Sequence, residues 1–533
     1  MKKLFFIYPT NRDKIYQDVK NGYSPDNALY GLNYLEKTVF HANYKDVSAR
    51  LERLLDIIFL PFHKLFFSQI DIDFKLGRAF LLLPFLNKDD CIVVNTDGIG
   101  LAICFLKRLK LIRKPVVYAV GLFYINGNLK TTLEKNKKTP FVYFFKWILT
   151  AADQILYHAP IEKEKLIKLG IYNPATCAFL PMGSDANFFN MSRFIRLKTL
   201  KNTVISIGKD RARDYKTLIS TANTLPRVSF IIICKKDNLE NLELPTNVKV
   251  YFDLPYYETA QWYKKATIIV IPIKEMNRSS GQMTLTDCIQ CSKPIIISDV
   301  VGIEHYFLKN YSNIIKVSPQ NSKQLKSAIK FLLKSKNMQN KLKKNTKELA
   351  KIYNTKNYAM GLSQIIFSAM DEFKLIPLDK TNLEFVRKTR NENFSFFINQ
   401  QDQISKNDQK KWFHNYLQKR DDYMFTLVKN HLKIGVGAIY DINLNKKTAK
   451  IGRFIVDGKF RNRGYGRVLL DKIEQVAFDR LGMESLKLEV LVENKIAIKL
   501  YKHDGFVGQK YVAIRGKKIL IMFKRKPHQK LAV

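Results

Sequence analysis

Residues 461–466 read Arg-Asn-Arg-Gly-Tyr-Gly, between IGRFIVDGKF (451–460) and RVLLDKIEQVAF (467–478). The first flank reads as a strand and the second as an amphipathic helix. A glycine-bearing turn between strand and helix leaves backbone N–H groups free. Together with the helix dipole these can hold a diphosphate. Side chains would block that approach, which gives Gly464 and Gly466 a steric reason to be there. Six residues do not decide the matter alone, since a basic glycine turn is often only a turn. Downstream, LKLEVLVEN (486–494) reads as a strand and KIAIKLYKHDGF (495–506) as a short helix ending at Gly505.

Taken together, Arg461, Gly464, Gly466, Asn494, Ala497, Tyr501, Gly505 and Phe506 resemble the second half of the GNAT N-acetyltransferase pattern. The resemblance covers residues 375–525. It implies acetyl-CoA as co-substrate. Its pyrophosphate would lie on Arg461, Asn462, Arg463, Gly464, Tyr465 and Gly466, and its pantetheine arm along Phe454, Ile455 and Val456. Tyr501 falls where the family places a tyrosine that protonates the departing thiolate. Asn494 either bonds the coenzyme or caps the next helix. The base for the amine proton is open among Glu489, Glu493, His414 and a water chain. VRKTRNENFSFFINQQDQISKNDQKKWFHNYL (386–417) further resembles acetyltransferases of nucleotide-linked 4-amino sugars, among them the flagellin-sugar enzyme. Ribosomal-protein acetyltransferases share part of that pattern. The amino-sugar resemblance implies that Arg387, Arg390, Asn391 and Trp412 line or support a nucleotide-sugar pocket, with core packing the other reading of Trp412.

The whole chain has 533 residues, enough for about three domains with cores of their own. Its six cysteines form no paired framework, which fits a reduced cytoplasmic protein without disulfide or zinc. Cys288 and Cys291 read as core. MKKLFFIYP is too short for a secretory leader and reads as a first strand, and no uncharged apolar run is long enough to cross a bilayer. A net charge of +43 favours anionic partners. With no compact nucleic-acid motif, it suits phosphorylated substrates and peripheral contact with an anionic membrane at its inner face.

Upstream of residue 370 short apolar runs alternate with amphipathic segments, an order that argues for doubly wound parallel sheets, α/β in class. The region is too long for one such sheet, so two Rossmann-like halves are expected, 1–180 and 181–370, with the last helix crossing back. Five segments then resemble GT-B glycosyltransferases of the retaining class: SPDNALYGLNYLEK (24–37) as the first helix after the first strand, AADQILYHAPIEKEKLIKLGI (151–171), FLPMGSDANFF (179–189), VISIGKDRARDYKTLIS (204–220), and SSGQMTLTDCIQCSKPIIISDVVGIEHY (279–306). A leaving nucleotide develops charge on its phosphate, so catalysis needs cations and dipoles aimed there. Lys209 and Arg213 can supply the cations, with Arg211 an alternative. Ser279, Ser280 and Gly281 precede a helix starting near Gln282, where a serine cap and an uncrowded start suit phosphate, and Thr284 lies in its first turn. By resemblance Asp287 stands where the family has a ribose-binding Glu. Ser279 replaces a Glu that touches the donor sugar, a departure that marks either a subgroup or a weakened transferase. The acceptor loops are expected at Gly22–Asp26, Asp97–Gly100 and Gly121–Gly127. Asp97 reads equally as a turn residue, and His158 as a structural histidine.

The sequence thus predicts a bifunctional surface-glycan enzyme, in which GT-B halves transfer a sugar from a nucleotide donor to a glycan or lipid-linked acceptor. A GNAT domain N-acetylates an amino sugar, and no metal is needed. The alternatives are a GT-B unit that only binds, and a GNAT domain acting on a protein amine.

Overall fold

The computed structural model describes residues 1–533 except 9–11, 36–39, 71, 122–128, 130–138, 192–196, 277–278, 308–313, 395–396, 399–401, 431 and 528–533. Its contacts divide the chain into a larger unit, Met1–Tyr172 with Phe179–Met370, and a smaller one, Asn173–Ala178 with Asp371–Val533.

Short runs of branched and aromatic residues build the first sheet, from β1 (Lys2–Ile7), β2 (Phe40–Tyr44), β3 (Cys91–Val94), β4 (Val116–Ala119), β5 (Gln154–Tyr157) and β6 (Cys177–Phe179) in the order β2-β1-β3-β4-β5-β6. The pairs from β2 to β5 are parallel. Continuously buried strands such as Cys91–Val94 and Val116–Ala119 are what a parallel sheet covered on both faces requires. The sequence expected 24–37 to be the first helix. Instead Arg12–Lys20 is helical, followed by a 3-10 turn at Asp26–Leu29 and a single helical turn at Leu32–Leu35. Tyr30 and Gly31 break the segment with φ of 50° and 83°, and a Cβ on Gly31 would stand 2.9 Å from the Ala359 Cβ. That close approach belongs to the helix Thr355–Met370, which returns to the first half, where Phe367 also packs on Phe40.

The second sheet is isoleucine-rich and wholly parallel: β7 (Thr203–Ile207), β8 (Ser229–Cys234), β9 (Val248–Phe252), β10 (Ile268–Ile271), β11 (Ile295–Ser298) and β12 (Ile315–Val317), ordered β12-β11-β10-β7-β8-β9. Strand order reverses at β7, and such a switch opens a crevice at the carboxyl ends of the strands. The loops leaving β7 and β10 meet there. The helix Gln282–Gln290 starts where expected, but its cap is Gly281 at φ 80° with no side-chain bond, not a serine.

The smaller unit has a mixed sheet of β13 (Phe373–Pro377), β14 (Tyr423–Lys429), β15 (Leu432–Asn443), β16 (Thr448–Val456), β17 (Ser485–Leu491), β18 (Val507–Ile514) and β19 (Lys517–Arg525), ordered β13-β14-β15-β16-β17-β19-β18. Its neighbours run antiparallel except β16 and β17, which are parallel over Thr448–Lys450 and Ser485–Lys487 only. Beyond Lys450 and Lys487 these two strands part.

Candidate active sites

In the larger unit, the loop after β7 runs from Gly208 into the helix Tyr215–Asn223. Arg213 is 4% exposed, and its guanidinium lies across Gly208, where a Cβ would stand 2.0 Å from Nε. Nη2 donates to Thr284 Oγ1 at 2.6 Å, while Nε and Nη1 are buried without a partner. A buried cation with unmet N–H groups is costly unless an anion reaches it. Ser280 Oγ donates to Asp210 Oδ2 at 3.0 Å and ties the β7 and β10 loops together. Lys209 does not join Arg213. It pairs on the surface with Asp253 at 3.0 Å, and Arg211 is exposed.

Two expected donor contacts are occupied by the protein itself. Asp287 Oδ1 accepts from Ser184 Oγ at 2.5 Å and Asn27 Nδ2 at 3.3 Å, and Oδ2 accepts from the Tyr256 hydroxyl. The carboxylate placed on ribose by sequence is therefore bound by three side chains from both halves, and burial lifts its pKa to about 7. Ser279 Oγ donates 3.1 Å to Glu162 Oε1, whose other oxygen accepts from the backbone N–H of His158 and Ala159. Glu162 is 1% exposed, and burial raises it too to about 7. Gln282 Nε2 donates to the Gly302 carbonyl at 2.8 Å.

On the first half, Asp26 is buried, with Oδ1 unpartnered and its backbone N–H donating to Asp185 at 3.2 Å. Burial, then the Asp185 charge, raises it. Asp97 accepts from the Tyr118 hydroxyl and the Gly121 N–H, which is a turn-holding role. His158 Nδ1 meets the Leu180 carbonyl at 2.8 Å, and burial lowers its pKa to about 4, as a structural histidine requires. Residues 122–127 of the third expected acceptor loop lie outside the described residues.

In the smaller unit, Val456 of β16 is followed by a turn and by the helix Tyr465–Gln475, which starts at Gly464 with φ 78°. Nothing stands within 4 Å of a Cβ built on Gly464, and around Gly466 the nearest atoms are Leu500 Cδ2 at 3.7 Å and Val456 Cγ2 at 3.9 Å. The helix mouth is open, and a coenzyme pyrophosphate fits it. Beside it, Val436 pairs with Ile455 and Ala438 with Gly452, so Gly437 faces both Arg453 and Phe454 in a bulge, with Arg453 at φ 56°. The bulge and the parting of β16 from β17 leave the β17-facing edge of Phe454–Val456 without a sheet partner. Arg461 folds back, donating to Asn393 Oδ1 and, at 3.3 Å, to the Val456 carbonyl, while Asn462 and Arg463 are exposed. Tyr465 stacks edgewise on Phe460. Tyr501 is 8% exposed beside Phe454, and burial raises its pKa above the usual phenol range, so it holds its proton. Asn494 resolves as a cap, accepting from the Ala497 N–H at 3.1 Å. Glu489 lies 3.5 Å from Lys450 and 3.4 Å from Lys487, whereas Glu493 and His414 are exposed.

The expected acceptor residues divide. Arg387 pairs with Glu384 and donates to the Ile404 carbonyl at 3.0 Å, and Asn391 both donates to that carbonyl and accepts from the Ile404 N–H. Both pin a turn. Trp412 stacks on Tyr416 and packs on the core around Val386 and Phe413. Arg390 sits over the Phe397 ring at 4.9 Å with Nε buried and unpartnered, and burial, then Arg453, lowers it to about 10.

Residues 383–506 match the acetyltransferase (GNAT) family model, and residues 189–349 match glycosyl transferases group 1. The chain therefore carries a GNAT acetyltransferase domain joined to a glycosyltransferase group 1 domain with two parallel-sheet, Rossmann-like halves. An uncharacterized N-acetyltransferase of Methanocaldococcus jannaschii is 36% identical over 107 residues, 19% of this chain and 47% of that protein. The acetyltransferase PseH of Campylobacter jejuni is 31% identical over 71 residues, 13% of this chain and 43% of that one. A spermidine N-acetyltransferase from Vibrio cholerae, solved with CoA and spermine, is 20% identical, with 29% of this chain and 95% of that one covered and a TM-score of 0.27. The chain spans about half the length of the curated relatives it matches. Among the described residues no helix is long and apolar enough to cross a membrane, and no group of three or more His, Cys, Asp or Glu could hold a metal.

Proposed function

We propose that the chain is a bifunctional cytoplasmic enzyme of surface-glycan biosynthesis. The smaller unit N-acetylates an amino sugar carried on a nucleotide. The larger transfers a sugar from a nucleotide donor to a glycan or lipid-linked acceptor. The observation that carries this reading is the buried Arg213 with two unmet nitrogens at the topological switch, in a chain whose other unit has an open helix mouth at Gly464.

Acetyl-CoA, when bound, supplies an activated acetyl group. The backbone N–H groups from Gly464 to Gly466 would hold its pyrophosphate, and the free edge of Phe454–Val456 would align its arm. Tyr501, buried beside Phe454, would give its hydroxyl proton to the departing sulfur. Arg390, buried with a free Nε, would receive an anionic part of the acceptor. In the larger unit Arg213 would grip the donor diphosphate and offset the charge that grows there as the nucleotide leaves. Thr284 and Ser280 frame that crevice, whereas Lys209 stays paired with Asp253 on the surface and Gln282 with the Gly302 carbonyl.

One observation favours a second reading in which the larger unit binds sugar nucleotides without transferring. Asp287 is held by Asn27 of the first half together with Ser184 and Tyr256 of the second, and Ser279 by Glu162 of the first. A panel of UDP-, GDP-, CMP- and dTDP-sugars, assayed for nucleotide release with and without glycan acceptors, separates the two readings. Binding without release supports the second. In parallel, thiol release from acetyl-CoA with nucleotide-linked 4-amino sugars against lysine peptides tests the acetyl acceptor. Faster turnover with peptides contradicts the amino-sugar assignment.

A further inference from the structure

The helix Ala49–Ile58 sits on the larger unit inside out. Its apolar residues recur at helical spacing, which ordinarily marks a core-facing stripe. Here the buried member is Glu52, which accepts from Arg78 at 3.2 Å, and Asp56 is held inward by Lys75 at 3.3 Å. Gly77 lets this carboxylate-bearing face settle closely, since a Cβ there would stand 2.8 Å from the Leu55 Cβ. Leu51 and Leu54 consequently face solvent, as do Ile57 at 68% and Ile58 at 67% exposure.

The next helix, Leu60–Ile70, buries Phe66 and Ile70 and leaves Leu65 and Phe67 exposed. Ring contacts carry the surface onward. Phe62 meets Phe105, Phe105 meets Trp147, and Phe66 meets Phe144, so the helix Pro140–Leu149 joins the same face with Tyr143 and Trp147 exposed. A contiguous apolar face of this kind on a soluble unit marks an interaction surface.

The surrounding charge selects the partner. Arg50, Arg53 and Lys64 on the same two helices are exposed, and Arg108 lies 5.8 Å from the Trp147 ring. The segment's carboxylates are paired: Glu52 with Arg78, and Asp56 and Asp73 with Lys75. Aliphatic residues between cations, with Trp and Tyr at the margin, match the boundary between acyl chains and anionic headgroups. We infer that the face formed by Ala49–Ile70 and Pro140–Leu149 docks the larger unit on an anionic lipid bilayer. The inference rests on neither transferase activity, so its failure leaves the catalytic reading intact.

The test is flotation of the full chain with vesicles of phosphatidylcholine alone or mixed with phosphatidylglycerol. The expected result is co-flotation with the mixed vesicles, weakened by salt. The triple change Leu54→Ser, Ile57→Ser, Ile58→Ser should cut the bound fraction more than about tenfold, with the melting curve and coenzyme A binding retained. Should that variant unfold, Arg50→Glu with Arg53→Glu replaces it and should lose binding to the anionic vesicles. Unchanged flotation of folded variants overturns the inference. So does a parent chain that ignores both vesicle types, or a self-associating chain that the triple change turns monomeric without altering flotation.

Discussion

Two helices in this chain begin at a left-handed glycine after a strand, Gly281 at φ 80° and Gly464 at φ 78°, and their surroundings are opposite. Around Gly464 a Cβ would meet nothing within 4 Å, whereas at Gly281 it would stand 2.5 Å from Ile273 Cδ1. In the first turn beyond Gly281, Thr284 is already engaged by Arg213. The helix start in the acetyltransferase domain is thus open at its glycine. The crevice at the switch of the second sheet is furnished from within. Arg213 leans on a threonine with Nε and Nη1 unmet, and Asp287 and Glu162 are held by protein donors. The same backbone device therefore starts two helices with opposite surroundings, one open and one crowded.

The change with the largest expected effect is Arg213→Ala. Removing the only buried cation described at that crevice should lower nucleotide release about 10²–10³-fold while acetyl transfer stays at the parental rate. Equal loss of both activities would break the distinction between the two sites. Next comes the glycine pair. Gly464→Ala should cost about 1–2 kcal/mol for the left-handed backbone alone. Gly281→Ala adds about 1–3 kcal/mol for crowding Ile273, as read by urea unfolding. Equal costs would mean the Gly281 mouth is as open as the other.

A pH dependence sharpens the contrast further. Burial lifts Glu162 from 4.5 and Asp287 from 3.8, each to about 7. Between those values the folded unit keeps protons that the unfolded chain has released. The stabilisation they confer is complete below the unfolded values and fades as pH rises through about 7. The larger unit should therefore melt lower above neutrality than in mild acid, and Asp287→Asn should flatten that slope. A melting temperature that rises over this interval in the parent would contradict the sign. The smallest effect is expected from Asn494→Ala, about 1 kcal/mol of stability from the lost cap, with the KM for acetyl-CoA unchanged. A raised KM would return Asn494 to the coenzyme.

Runs such as SFIIIC and KPIIISD could be read from sequence because strands buried on both faces must be apolar throughout. The glycine turn at 464–466 was readable because its flanks switch from strand to helix. The edge strands FHANY, VKVYF and IKV escaped, since a half-exposed strand carries polar residues and loses the signal. The site escaped more. Glu162 and Ser279 lie 117 positions apart, and Asp287 draws its donors from residues 27, 184 and 256. Nothing in SPDN or HAPIEKEK announces a partner in the other half, and Glu162 reads locally as the acidic third residue of a helix. The outward-facing stripe of Ala49–Ile58 was hidden for a related reason. Periodicity shows that a helix is two-sided, but which side is buried depends on distant partners such as Arg78 and Gly77.

Calorimetric titration of the full chain with coenzyme A and with a nucleoside diphosphate, added in either order, decides whether the two sites are separate. One site for each is expected, with neither ligand altering the other's stoichiometry. Gly464→Val should abolish only the coenzyme A heat, and Arg213→Ala only the nucleotide heat. A single shared site, or loss of nucleotide binding on changing Gly464, would contradict their separation.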